Sequence, residues 1–268
     1  MPTIEVDGRT FYYEDQGEGE PLLGVMGLAA DTLSWTLQLP AFSEQHRTVV
    51  FDNRDVGQSW QAEADYEVVD MANDAFGLAD ALGLDRFHLL GVSMGGAIAQ
   101  EMALAAPERV NTLTLAVTFA EGGAYARKLA EQWGSRVGRL SREEHLDELL
   151  LLTLSEAFFE NADAVDFVRS MALQNPNPQT PEAFARQLHA SSRHQAGERL
   201  RTLEMPVHVI GAEYDVLLPV WKSREVADLI PGSRLTVFEG APHGLQLERA
   251  QEFNDAVLGF IAEHSPAR

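Results

Sequence analysis

A serine stands between two glycines in Gly91-Val92-Ser93-Met94-Gly95, and that spacing has a chemical use. The apolar run Phe87-His88-Leu89-Leu90 precedes it and reads as a buried strand, while Ala97 to Ala106 follow and read as a helix. At such a strand-to-helix turn the serine backbone is strained, and side chains two residues to either side would collide, so glycine is needed at both places. The hydroxyl then stands clear at a helix N-terminus, where unpaired amide N–H groups favour negative charge. A carbonyl becoming an oxyanion needs such donors. The pattern predicts nucleophilic acyl transfer.

Serine attacks only when a base takes its proton, and the base is best a histidine oriented by a carboxylate. Of eight histidines, His243 lies in Glu239-Gly240-Ala241-Pro242-His243-Gly244, a tight loop between the last expected strand and the last expected helix. It is the expected base. His88 and His208 fall inside expected strands as core or edge residues, and His46, His145, His189 and His264 fall on helices or their ends, where exposure is expected. The expected acid is Asp215, closing Gly211-Ala212-Glu213-Tyr214-Asp215 after the seventh strand, with Glu213 and then Glu121 as further candidates. The chain order Ser93, Asp215, His243 is the one this turn uses. Two backbone donors must meet the oxyanion: the Met94 amide, and the Leu28 amide from Met26-Gly27-Leu28-Ala29-Ala30, where Gly27 permits close approach. A plain tight turn is the alternative for Met26-Gly27.

The elements that position these residues follow from periodicity. Thr3–Val6 and Phe11–Glu14 alternate about Asp7-Gly8 as a hairpin; Pro21–Val25 is an apolar, central strand, and Arg47–Phe51 is a fourth. Residues 66–83 have helical spacing and stop at Gly83. Further strands are expected at Val110–Val117, Pro206–Gly211 and Arg234–Phe238, with a final helix from about Leu247 to Glu263. The alternation predicts an α/β fold: eight strands, mostly parallel, helices on both faces, antiparallel strands at one edge. Residues 119–200 break the rhythm with helical pieces only: Ala124–Gly134, Arg142–Glu160, Ala162–Gln174 and Pro181–Ser192, interrupted by Asn175-Pro176-Asn177-Pro178. We read 1–118 with 201–268 as the core and 119–200 as a helical cap inserted between strands six and seven, over the carboxyl ends of the strands. A second helical layer remote from the site is the alternative.

With 268 residues and a hydrophobic fraction of 45%, the chain suits one such domain carrying an insertion, or two small domains. It has no cysteine, which excludes disulfides and thiolate chemistry. The start lacks a basic and apolar leader, and no apolar run approaches a membrane span, so a cytoplasmic protein is expected. The 41 acidic against 20 basic residues give a net charge of −21, which disfavours nucleic acid and anionic lipid as partners. The acids are scattered, as on a solvated face, and a salt-tolerant surface is one reading of them.

Gly27-Leu28, Asp52-Asn53-Arg54-Asp55-Val56-Gly57-Gln58-Ser59, Gly91 to Gly96, Asp215 and His243 together resemble the α/β-hydrolase superfamily over essentially the whole chain. The chain is similar to the capped branch holding enol-lactone hydrolases, acyl-homoserine lactonases, small carboxylesterases and cofactor-free haloperoxidases. Two positions depart from the pattern. Met26 replaces a common histidine, which a backbone donor does not need, and Asp55 takes the position of a common glycine. Arg54 and Asp55 are read as structural and ion-paired with neighbours. Haloalkane dehalogenases and epoxide hydrolases carry aspartate where Ser93 stands. Carbon–carbon hydrolases typically have an aromatic residue where Gly244 follows the histidine; Arg193 is a conceivable carboxylate anchor for that reading.

The resemblance implies a serine esterase or lactonase without metal or organic cofactor; the cap is amphipathic and largely apolar inward, so a small, uncharged, partly hydrophobic ester or lactone fits best. Trp35, Trp133, Met94, Met171, Leu217 and Leu218 are candidate pocket walls, with core packing the alternative for each. His194 and Arg193, at the cap exit, approach the pocket or face solvent. The cap or an edge helix offers a homodimer face. Carbon–carbon hydrolysis, perhydrolase or haloperoxidase chemistry on the same triad, and a slow-turnover ligand receptor, are the alternatives.

Overall fold

The computed structural model describes residues 2–265. Among them, eight strands form one sheet: β1 (Thr3–Val6), β2 (Arg9–Gln16), β3 (Pro21–Val25), β4 (Arg47–Phe51), β5 (Phe87–Val92), β6 (Val110–Ala116), β7 (Val207–Ala212) and β8 (Arg234–Phe238). The order is β1-β2-β4-β3-β5-β6-β7-β8. β1 pairs antiparallel with β2, and β2 with β4; every other pair is parallel. The hairpin turns on Asp7 and Gly8, both left-handed with φ of 51° and 75°, as a two-residue turn between twisted strands requires.

Side chains alternate across the sheet with period two. Leu23, Val49, Phe51 and Leu89 enter one core layer, and Leu22, Val50, Leu90 and Val92 the other. The helices are α1 (Leu39–Ser43), α2 (Val68–Ala81), α3 (Met94–Ala105), α4 (Gly123–Val137), α5 (Arg142–Thr153), α6 (Glu156–Phe159), α7 (Ala162–Gln174), α8 (Pro181–Arg193), α9 (Trp221–Leu229), α10 (Leu245–Glu248) and α11 (Ala250–His264). α2 and α3 cover the first layer; α1 and α11 cover the second through Leu39, Phe42, Phe253, Val257 and Ile261.

The strand order reverses beside β3. The chain leaves β3 for β4 on one side and returns to β5 on the other. The loops after β3 and β5 therefore part in opposite directions and leave a crevice at the carboxyl ends of the strands.

Five helices, α4 to α8, lie between β6 and β7. The two ends of this insertion are clasped: Glu121 pairs with Gln195 as an antiparallel bridge, Gly122 N–H donates to the His194 carbonyl (3.0 Å) and Ala196 N–H to the Ala120 carbonyl (2.9 Å). The expected helix Arg142–Glu160 is two helices. Ser155 breaks it, capping α6 with its hydroxyl while its N–H and Oγ both donate to Glu248 (2.7 and 2.6 Å). α9 was not expected; only Ser223 and Val226 of its nine residues are buried, too thin a stripe to read.

Candidate active site

β5 delivers Ser93 into the crevice with φ 59° and ψ −123°. A Cβ on Gly95 would lie 2.7 Å from the Val25 carbonyl carbon, and one on Gly91 would lie 2.7 Å from the Gly95 carbonyl carbon. Both glycines are therefore required by close approach. Neighbours hold the strained serine on both sides: its N–H donates to the Ala116 carbonyl (2.9 Å), and its carbonyl accepts from Thr118 Oγ1 (2.7 Å).

His243 and Asp215 arrive from the loops after β8 and β7. His243 Nε2 lies 3.0 Å from Ser93 Oγ, and His243 Nδ1 lies 2.7 Å from Asp215 Oδ2. With Nδ1–H donating to the carboxylate, Nε2 is left to accept the serine proton. The other carboxylate oxygen, Oδ1, accepts from the Leu217 and Leu218 N–H groups (2.9 and 2.7 Å), which fixes its plane. Asp215 and His243 are buried, and Ser93 is partly open. Glu213, the second candidate acid, instead accepts from Gly240 N–H (2.9 Å), while Tyr214 N–H donates to the Ala241 carbonyl (2.9 Å), so the acid and base loops are tied together. Glu121 belongs to the insertion clasp.

Gly27 packs directly against the serine: a Cβ there would lie 2.8 Å from Ser93 Cβ. Among the described residues, neither the Leu28 nor the Met94 N–H has a protein acceptor. Asn53 Nδ2 donates to the Met26 carbonyl (2.9 Å) and pins the start of this loop.

The candidate pocket walls divide. Trp133 joins Ala130, Val137, Phe184 and Leu188 in a cluster of α4 and α8 that also touches Leu28, Ala29 and Leu217. An apolar surface thus lies against the loop of Leu28 and Ala29. The other candidates need correction. Trp35 is fully buried in the second core layer beside Gly24, since the sheet needs a large side chain there. The Met94 side chain is buried in the first layer, and Leu218 packs on that same layer. Met171 is 47% exposed on α7.

Arg193 does not enter the site; it donates to Glu67 (2.9 Å) and to the Tyr66 carbonyl (3.0 Å). His194 is buried rather than solvent-facing, its Nε2 3.1 Å from Gln100 Oε1, and burial pulls its pKa down to about 4. His46 is also buried, against the expectation of exposure. Arg54 and Asp55 are ion-paired as expected. Arg54 Nε meets Asp74 Oδ2 at 2.5 Å, and Asp55 takes a two-pronged contact from Arg186 (2.8 and 2.8 Å). Asp52 accepts from the Thr32 and Gln58 N–H groups (2.8 Å each), and burial pushes its carboxyl up to about 6.

Thr118 and Gln187 carry parts of the site that the sequence reading missed. Thr118 left no signal. Gln187 did: it sits on the apolar stripe of α8 with Ala183, Phe184, Leu188 and Ala190, and a polar residue there must find partners. Among the described residues, no three His, Asp or Glu side chains are grouped to hold a metal ion, and no helix is long and apolar enough to cross a membrane.

A strand-carried serine, a histidine and a carboxylate on successive loop ends of this sheet define a class, and comparison agrees. A profile described as the alpha/beta hydrolase fold matches residues 20–250, and the chain belongs to that family. It is 27% identical over 265 residues to a protein of Azorhizobium caulinodans named "Putative carbamate hydrolase RutD", covering 98% of this chain and 99% of that one. It is 28% identical to the 2-hydroxymuconate semialdehyde hydrolase of a Pseudomonas strain, over 94% of this chain and 90% of that one. Among solved structures, a thermophilic esterase from Thermogutta terrifontis superposes with a TM-score of 0.88 at 25% identity, over 99% of this chain and 100% of that one.

Proposed function

We propose that the chain is a serine hydrolase of small, uncharged, partly apolar carboxylic esters or lactones. The observation that carries this is the unbroken relay Ser93 Oγ–His243 Nε2–Asp215, at 3.0 and 2.7 Å. Ser93 attacks the carbonyl carbon as His243 takes its proton, and the Leu28 and Met94 N–H groups receive the oxyanion. The tetrahedral adduct collapses, the alcohol leaves with the proton from His243, and an acyl-Ser93 remains. Water, deprotonated by the same imidazole, then releases the acid. Residues 119–200 serve as a cap, and the Trp133 cluster on α4 and α8 supplies apolar surface for the substrate. The engagement of Arg193 with Glu67 and Tyr66 removes it as a carboxylate anchor and favours uncharged substrates over anionic ring-cleavage products.

The test is turnover of p-nitrophenyl esters of increasing chain length, beside panels of lactones and aryl carbamates, by the wild type and Ser93→Ala. Sustained wild-type turnover that falls about 1,000-fold or more in the variant is expected. Retained activity in Ser93→Ala overturns the assignment; one equivalent of product followed by a stall identifies a receptor instead.

A further inference from the structure

We propose that Gln187, on insertion helix α8, is a positioning residue for the oxyanion hole. The inference rests on the serine-hydrolase reading of Ser93.

The loop that presents the Leu28 N–H has little support of its own. Its internal turn, Ala30 N–H to the Gly27 carbonyl, spans 3.5 Å, the outer limit of a hydrogen bond. Ala29 holds φ 61°, a left-handed conformation that a non-glycine residue keeps only when its surroundings impose it. The imposing group is Gln187. Its Oε1 accepts the Ala29 N–H at 3.0 Å, and its Nε2 donates to the Arg54 carbonyl at 2.9 Å. Gln179 Nε2 donates to the same Oε1 (3.0 Å) and lies 3.0 Å from the Asp55 carbonyl. Gln187 is fully buried, so its amide is held by these partners in a single orientation.

The geometry brackets the donor. Asn53 fixes the Met26 carbonyl just before Gly27, and Gln187 fixes the Ala29 amide just after Leu28. Between the two clamps the Leu28 N–H has no acceptor among the described residues, and Gly27 beside it packs on Ser93. If the Ala29 clamp is lost, the backbone at 28–29 can relax from its left-handed state and rotate the Leu28 N–H away from the reacting carbonyl oxygen. Ground-state binding to the apolar cluster would change little, because the Gln187 amide meets two backbone groups and the Gln179 amide rather than the pocket. The insertion thereby completes the catalytic site as well as covering it.

Two variants test this. Gln187→Leu removes all three hydrogen bonds, those with Ala29, Arg54 and Gln179. We expect kcat to fall about 10- to 100-fold with KM within about 3-fold, because the lost interaction acts on the transition state. The rate at which a fluorophosphonate probe labels Ser93 should fall in parallel. There Ser93 Oγ displaces fluoride from phosphorus, His243 takes the proton, and the phosphonyl oxygen occupies the same hole. Gln187→Glu is the conservative variant. Its neutral acid can accept from Ala29 and donate to the Arg54 carbonyl; its carboxylate can only accept. The ratio of its kcat to that of the wild type should therefore fall as pH rises from about 5 to 8.

Gln187→Leu with kcat and labelling rate within about two-fold of the wild type overturns the proposal. If that variant does not fold, a flat pH ratio for Gln187→Glu overturns it instead. A wild type that the probe does not label at Ser93 defeats the serine-hydrolase reading itself, a separate result.

Discussion

Gly244 donates its backbone N–H to the carbonyl of Thr153 at 2.7 Å, joining the residue after the base to the last turn of α5. Two bonds from Ser155 to Glu248 reinforce this join on the next turn of chain. The insertion therefore touches the crevice at the carboxyl ends of the strands at two separate points, the His243 loop through Thr153 and the Leu28 loop through Gln187.

The first contact leaves no room for a side chain after the base. A Cβ on Gly244 would lie 2.9 Å from the Thr153 carbonyl oxygen and 3.3 Å from Leu154 Cδ2. The Thr153 carbonyl belongs to the last turn of α5, so we expect the His243 loop to give. Displacement of the imidazole by a fraction of an ångström lengthens its bond to Ser93. For Gly244→Ala we expect kcat on a p-nitrophenyl ester to fall about 10-fold with the fold intact by circular dichroism. Wild-type kcat in that variant would mean that α5 yields and the base does not move.

The parts of this site that were legible in the sequence share one property: each is specified by local chain geometry. The turn at Ser93 needs glycines at fixed offsets, and the loop at His243 is bounded by Gly240 and Gly244, so both announce themselves within six residues. Eight strands in a mostly parallel sheet followed from apolar runs alternating with helical spacing in the same way. What was not legible depends on partners remote in the chain. Gln187 acts on Ala29, 158 positions away, and Ser155 breaks a helix to meet Glu248, 93 positions away. Trp35 and Trp133 are both large and apolar, and only the packing of the sheet against α1 and α11, or of α4 against α8, decides which one comes against the Leu28 loop.

Asp55 shows why this chain departs from the glycine common at that position. Its φ of 69° is one that glycine adopts freely and aspartate adopts at a cost. The carboxylate offsets the cost by accepting from Ala62 N–H (2.8 Å), Tyr66 Oη (2.9 Å) and both prongs of Arg186. Asp55 is fully buried, and Arg186 is on α8 beside Gln187, so the pair fastens the insertion to the core. Asp55→Asn keeps the shape, removes the charge, and turns one acceptor into a donor facing donors. We expect a loss of about 3–5 kcal/mol in urea unfolding, since the Arg186 guanidinium is left without its counter-charge. KM should rise as α8 loosens. Unchanged stability would show that Arg186 finds another partner.

His194 makes acid stability a local question. Burial is the main cause of its low pKa, with Arg199 acting in the same direction and Glu101 opposing. Its ring is packed edge-on against Phe119, 5.8 Å between centroids, with Gln100 at Nε2 and Glu101 3.5 Å from Nδ1. The folded pKa of about 4 lies below the ordinary value of 6.5. Above pH 6.5 the ring is neutral in both folded and unfolded chains and nothing is lost. As pH falls from 6.5 towards 4, the unfolded chain takes up a proton that the folded one resists, and stability drains by about 3 kcal/mol. His194→Gln keeps a donor for Gln100 and cannot titrate. The difference in unfolding free energy between wild type and variant, measured in urea at steps from pH 7 to 4, should therefore shift by about 3 kcal/mol against the wild type. Parallel curves over that range would show that the ring is already charged in the fold, or that it escapes to water when it protonates.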